Sequence, residues 1–156
     1  PDAVKGGVLK LASIGTFDSL NPYIVKGSPA DGFLILGQSN IYDSLMEQAN
    51  DEPFSMYGPI AESIERPADN WTAEGRDFGN TTLTPPLGNG PYKIGTVTPG
   101  RSIEYVRDPN YWGKDLPINK GRFNFDRIVY DYYKDSNVAL EAFLAGQYDY
   151  RLENTE

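Results

Sequence analysis

No cysteine and no histidine occur among the 156 residues. The first absence excludes disulfides, zinc–thiolate sites and thiol nucleophiles. The second removes the commonest general base, metal ligand and pH switch. Any catalysis would have to come from carboxylates, lysines, tyrosines or serines. Basic charge is also short: 14 lysines and arginines stand against 22 acidic residues, a formal charge of −8. Nucleic acids and anionic membranes need a basic footprint, so neither is an expected partner, and the acidic surplus modestly favours cationic ligands. No apolar run approaches the ~20 residues that span a bilayer. The first residues do not read as a basic, apolar, small-residue leader, so any export signal is expected to have been removed or never present.

What the chain does have is aromatic surface, with 11 tyrosines and 7 phenylalanines. Tyrosine suits walls that are part apolar and part hydrogen-bonding. The length allows one ordinary domain with a core. Val8 to Ile14, ending at Gly15, has the form of a buried strand, and residues 16–22 read as the loop at its carboxyl end. Ser28-Pro29 resembles an N-cap followed by a first-turn proline, with Asp31 in the first turn, which predicts a helix carrying Leu34, Ile41 and Leu45 on one face. Tyr57-Gly58-Pro59 reads as a turn and Ile60 to Glu65 as a short strand.

The most informative stretch is Gly88 to Gly113. Tyr92, Ile94 and Val97 lie on one arm of a β-hairpin, Pro99-Gly100 makes its turn, and Ile103 and Tyr105 alternate with Glu104 and Val106 on the other arm. Asp108-Pro109-Asn110 then breaks the strand and leads into an aromatic loop where Trp112 is expected to pin the loop to the body. Arg127 to Lys134 alternates as a strand, Asp135-Ser136 caps a helix bearing Ala139, Leu140, Phe143 and Leu144, and Gly146 ends it before a short strand over Tyr148 to Leu152. Residues 67–91 show neither periodicity, and so long a structureless stretch within a compact domain argues against a continuous reading.

The ordered series Gly-Pro-Tyr, charged hairpin, Asn-Tyr-Trp-Gly over 90–113 resembles the extracellular solute-binding proteins of oligopeptide ABC importers (family 5). Gly6 to Leu11 with Gly15 to Pro22 is similar to their mature start, and Phe125 to Tyr130 with Asn137 to Asp149 to their strand, helix and turn. Tyr130 to Asp135 and Glu153-Asn154-Thr155 are most similar to the branch that imports microcin C and related peptides. The resemblance implies an α/β mixed-sheet lobe, incomplete, of a two-lobed type II periplasmic-binding fold. Residues 1–69 would form its first part and 91–156 its second, up to a hinge, with 70–90 an irregular connection where a subdomain is missing near Asp69 to Trp71. It also implies a monomeric periplasmic protein without turnover, which captures oligopeptides or peptide-like antibiotics and hands them to an inner-membrane ABC permease.

Ligand contacts are expected from Phe17, Asp18 and Ser19, on a loop at the carboxyl end of a strand, and from Arg151, Glu153 and Asn154 beside the hinge. The bland alternatives are a tight turn at 16–22 and an exposed terminal strand. No metal or cofactor is expected: Gly88-Asn89-Gly90 lacks the context of a phosphate loop, and Asp131, Asp135 and Asn137 lack the glycine and distal glutamate of a calcium loop. Two alternatives to a transport role stay open. One is a standalone interaction module; the other is a carboxylate hydrolase using Glu62 with Glu65 or Asp149 with Glu153.

Overall fold

The computed structural model describes residues 4–21, 26–32, 34–35, 38–39, 41–42, 47–48, 56–57, 83–85 and 88–152. Four strands make the main sheet: β1 (Val8–Ile14), β6 (Tyr92–Thr98), β7 (Ser102–Arg107) and β8 (Arg127–Tyr133). Their spatial order is β1-β8-β7-β6. β1 runs parallel to β8, while β8–β7 and β7–β6 are antiparallel. Two-residue ladders pair β2 (Leu34–Ile35) with β3 (Gln38–Ser39) and β4 (Glu47–Gln48) with β5 (Met56–Tyr57). One α-helix, α1 (Ser136–Leu144), packs against β1 and β8. The expected mixed-sheet α/β architecture is the one observed.

Period-two alternation assigns each strand residue to a face. On one face Leu9, Ile128, Tyr105 and Ile94 form a rung across all four strands, and Leu11, Tyr130, Ile103 and Val97 form the next. Val97 shares that face with Ile94, three residues earlier, because a β-bulge sets Gly95 and Thr96 against Glu104 alone. Ile103 and Tyr105 are fully buried, each worth about 1.5–3 kcal/mol relative to exposure. Phe17, Leu20, Ala30 and Ile41 lie over these rungs and complete the core. The hairpin closes through Arg101 N–H donating to the Thr98 carbonyl at 2.9 Å, with Pro99 first and Gly100 at φ 69° second, the residue order of a type II turn.

The opposite face carries α1. The Asp135 side chain accepts from the Asn137 and Val138 N–H groups, both at 3.0 Å, so it caps the helix. Ala139 and Ala142 are the buried stripe, whereas Leu144 is 76% exposed; small side chains let the helix sit close on the sheet. Tyr148 then tucks beneath α1, its hydroxyl donating to the Ala139 carbonyl at 3.0 Å.

Several expectations are corrected. No helix starts at Ser28-Pro29: Pro29 instead forms a bridge with Ser19, and Asp31-Gly32 is a turn that leads into the β2–β3 ladder. Gly32 at φ 92° cannot continue a right-handed helix. The strand over Tyr148 to Leu152 reduces to a single parallel bridge between Tyr150 and Leu11. Tyr111, not Trp112, pins the aromatic loop: it is buried between the rings of Trp112 and Phe123 and receives Asn119 Nδ2, while Trp112 is 45% exposed. The second buried bond of Asn119, to the Gly113 carbonyl at 2.9 Å, closes that loop. Leu45, Gly58-Pro59, Ile60 to Glu65 (with Glu62) and the 69–71 break lie outside the described residues.

Two stability predictions follow from these contacts. Asp135→Ala should lower stability by about 1 kcal/mol, the usual worth of an N-cap. Gly32→Ala should cost more, because a Cβ would lie 2.4 Å from Tyr105 Cε2 and 2.7 Å from Tyr130 Cε2, inside buried rings that cannot step aside. Urea unfolding of both variants checks the size and the order of the two effects.

Candidate functional site

Parallel strands in α/β sheets present their carboxyl ends to ligands. Here β1 and β8 end side by side, joined by Gly15 N–H donating to the Tyr133 carbonyl at 2.9 Å. The β6–β7 turn reaches the same edge: Thr16 Oγ1 donates to the Gly100 carbonyl at 3.3 Å, and Tyr132 N–H to the Arg101 carbonyl at 2.8 Å. The 15–21 loop and the 26–32 segment cap it from the core side. The two are laced together by Asp18 N–H to the Ser28 carbonyl (3.0 Å), Ala30 N–H to the Ser19 carbonyl (2.9 Å) and Ser28 N–H to Asp18 Oδ1 (2.9 Å).

This lacing decides where the expected contact residues go. Phe17 is 2% exposed, with its ring centroid 5.0 Å from that of Tyr132, so it belongs to the core. Ser19 is fully buried and its Oγ accepts from Asn21 N–H at 3.0 Å. Asp18 alone of the three faces solvent. An extended segment alternates its side chains, which buries the neighbours of an exposed residue. Arg151 is half-buried and its Nη1 donates to the Tyr148 hydroxyl at 3.2 Å. Glu153 and Asn154 lie outside the described residues. Asp18 stands on the edge beside residues 26–32, and Arg151 is tied to Tyr148.

A residue missed in the sequence occupies the centre of the edge. Asp31 N–H donates to the Tyr132 hydroxyl at 2.6 Å, the Tyr105 hydroxyl donates to the Asp31 carbonyl, and Ser13 Oγ donates to Asp31 Oδ2. Its carboxylate is solvent-exposed. The Asp-Gly dipeptide at 31–32 is a turn signal that could have placed it. Around it the phenols are held neutral. Burial pushes Tyr130 up to about 12, with Asp31 adding to the effect, and burial pushes Tyr105 and Tyr132 higher still. On the α1 side of the sheet a polar depression of about 750 Å³ is lined by residues that include Lys10, Arg101, Asp131, Tyr133 and Gln147. Among the described residues no group of three His, Cys, Asp or Glu side chains converges as a metal site would require, and no helix is long and apolar enough to cross a membrane.

The sequence model of the bacterial extracellular solute-binding proteins, family 5 (middle region), matches residues 42–156, which include β6, β7, β8 and α1. The chain belongs to this family. Similar proteins include YejA of Escherichia coli, described as uncharacterized, at 31% identity over 233 residues, covering 99% of this chain and 38% of YejA. "Probable peptide-binding protein YejA" of Agrobacterium fabrum is 28% identical over 238 residues, covering 97% and 38%. "Peptidoglycan-binding protein YepA" of the same organism is 28% identical over 234 residues, covering 96% and 38%. This family 5 chain thus spans under two fifths of the length of these curated relatives. The matched spans also exceed its 156 residues, so within them the relatives carry sequence that it lacks.

The buried phenols give the protein an alkaline limit. A group whose folded pKa is raised keeps its proton in the native state after the unfolded chain has lost it. Its stabilising contribution is complete below the ordinary tyrosine value near 10 and is lost as pH rises through the folded value. Tyr92, pushed up to about 12 by burial with its hydroxyl on the Phe125 carbonyl, behaves as Tyr130 does. Urea midpoints should therefore hold steady up to pH 10 and fall between pH 10 and 12. Absorbance at 295 nm should show part of the tyrosine titration delayed until unfolding. Complete ionisation near pH 10 with an unchanged midpoint would show that these phenols are not buried.

Proposed function

We propose that this chain forms the first-lobe wall of a two-lobed periplasmic binding protein, which captures oligopeptides or peptide-like antibiotics and delivers them to an ABC permease without chemical turnover. The observation that carries the reading is the family 5 match over 42–156. The peptide-binding and peptidoglycan-binding names of two relatives support a peptide-like ligand. The lack of histidine and cysteine agrees with a protein that binds and releases. Closure of two lobes around the ligand would supply a dry, shaped cavity and a docking surface for the permease.

In this reading the sequence that the relatives carry within the matched span is a subdomain inserted near Asp69 to Trp71, between a first part at 1–69 and a second at 91–156, and the second lobe follows Glu156. The working unit is a monomer. Asp18 offers its second carboxylate oxygen to the cleft, Arg151, Glu153 and Asn154 line the hinge side, and Phe17 and Ser19 hold the Asp18 loop from below.

Two measurements test this. Native mass spectrometry of the full-length gene product, incubated with a random hexapeptide library and with soluble muropeptides, should show one bound ligand per protein and no loss of ligand over hours. Ligand consumed in proportion to protein, or no binding from either pool, would contradict it. Calorimetry with the selected ligand should show Asp18→Ala and Asn154→Ala each weakening binding roughly ten- to hundredfold, the worth of a hydrogen bond to a charged group at about 1.5–3 kcal/mol. Unchanged affinity in both would assign these loops a structural role only.

A further inference from the structure

We propose that Lys10 and Arg101 form an anion subsite on the α1 side of the sheet, which takes an acidic side chain of the captured peptide, an inference that rests on the peptide-binding reading above. Both cations line the polar depression of about 750 Å³, a volume within the ~300–1,000 Å³ of small-molecule sites. Thr98 and Tyr133, the last residues of β6 and β8, line it too, so it reaches the carboxyl edge of the sheet. It lies on the face away from the Asp18 loop, where a peptide held along that edge can lower one side chain into it. Gly146 borders it as well, and a Cβ built there would meet nothing within 4 Å, so this wall is open.

Each cation springs from a clamped backbone. Asp149 holds Lys10 twice: its Oδ2 accepts from the Lys10 N–H at 2.7 Å, and its own N–H donates to the Lys10 carbonyl at 2.9 Å. That carboxylate is spent on the main chain and leaves the Lys10 ammonium group unpaired. Arg101 closes the hairpin turn, its N–H donating to the Thr98 carbonyl at 2.9 Å and its carbonyl accepting from Tyr132 N–H at 2.8 Å. The arginines within the strands have acidic partners: Arg107 pairs with Asp126, and Arg127 with Glu104 at 3.0 Å. Among the described residues Lys10 and Arg101 have none. Asp131 lines the same depression from β8 and pairs with neither cation, so the three formal charges sum to +1 within a protein of −8. An ammonium and a planar guanidinium offer only donors, which match an acceptor-only carboxylate, and such charge-assisted bonds are roughly twice as strong as neutral ones. Anchoring both backbones beforehand lowers the ordering cost of binding.

The test uses full-length protein and two hexapeptide libraries, both amidated at the carboxyl end so that only a side chain can supply the anion. Every member of one carries a single glutamate at any position, and every member of the other a glutamine in its place. Wild type should bind the glutamate library at least tenfold more tightly. Arg101→Gln and Lys10→Gln, both at exposed positions, should each cut that preference about threefold or more. Binding of the glutamine library should stay within twofold in both. Asp131→Asn, which removes the one negative charge of the depression, should widen the preference, an effect that a merely structural role would not produce. A preference unchanged in both cation variants, or equal weakening for both libraries with a lowered melting temperature, would overturn the inference. Wild type that binds both libraries equally would also overturn it, while leaving the peptide-binding reading intact. Binding of neither library would instead overturn the peptide-binding reading itself.

Discussion

The parallel pairing of β1 with β8 is the contact on which everything else in this chain depends. It joins residues 8–14 to residues 127–133 in an unbroken seven-rung register from Val8–Arg127 to Ile14–Tyr133. Bringing together segments more than a hundred positions apart carries a loop-closure cost, yet that cost grows only slowly with length. Sequence can therefore be lost or gained between the two strands without undoing the pairing. The hairpin β6–β7 adds to β8, α1 packs back over β1 and β8, and Asp149 locks the return. Its N–H donates to the Lys10 carbonyl at 2.9 Å, and its Oδ2 accepts from Lys10 N–H at 2.7 Å.

Tyrosine is the material that makes this small sheet cohere. Tyr92, Tyr105 and Tyr148 are buried almost completely, and each sends its hydroxyl to a backbone carbonyl in another segment: Phe125, Asp31 and Ala139 respectively. Each ring contributes apolar burial while its hydroxyl satisfies a carbonyl that would otherwise be costly to leave unpaired. The same design that holds the core also orients the edge, because the hydroxyls of Tyr105 and Tyr132 emerge at the carboxyl ends of the strands and fix the Asp31 turn there. Core and candidate site are thus one network.

How much of this was legible depended on whether the governing contact was local. The hairpin, the β1 and β8 strands and the capped helix were readable, since alternation, Pro-Gly and an Asp cap act within a few residues. Val97 was placed on the first arm of the hairpin, but the bulge that turns it to the core face needed Glu104 across the ladder. The helix expected from Ser28 failed for a non-local reason. Apolar residues at 34, 41 and 45 mimic a helical face, but Pro29 pairs with Ser19 and Gly32 fits between two tyrosine rings. That error also hid Asp31, read as a first-turn acid when three distant strands in fact hold it. Phe17 and Ser19 were chosen with Asp18 by adjacency, and the extended backbone sent them to the core. Of the hinge-side group only Arg151 is described, and its tie to Tyr148 has no signature in the sequence.

Native-state hydrogen exchange addresses the central claim most directly. If the β1–β8 register organises both the sheet and the edge at its carboxyl end, amides in 9–13 and 128–132 should be among the slowest to exchange and should lose protection together as denaturant rises. Protection of Asp31 N–H, bonded to Tyr132, should fall with them. Rapid exchange of β1 at loop-like rates while β7 and β8 stay protected would contradict the account, because the edge that carries Asp18 and Asp31 would then have no fixed frame.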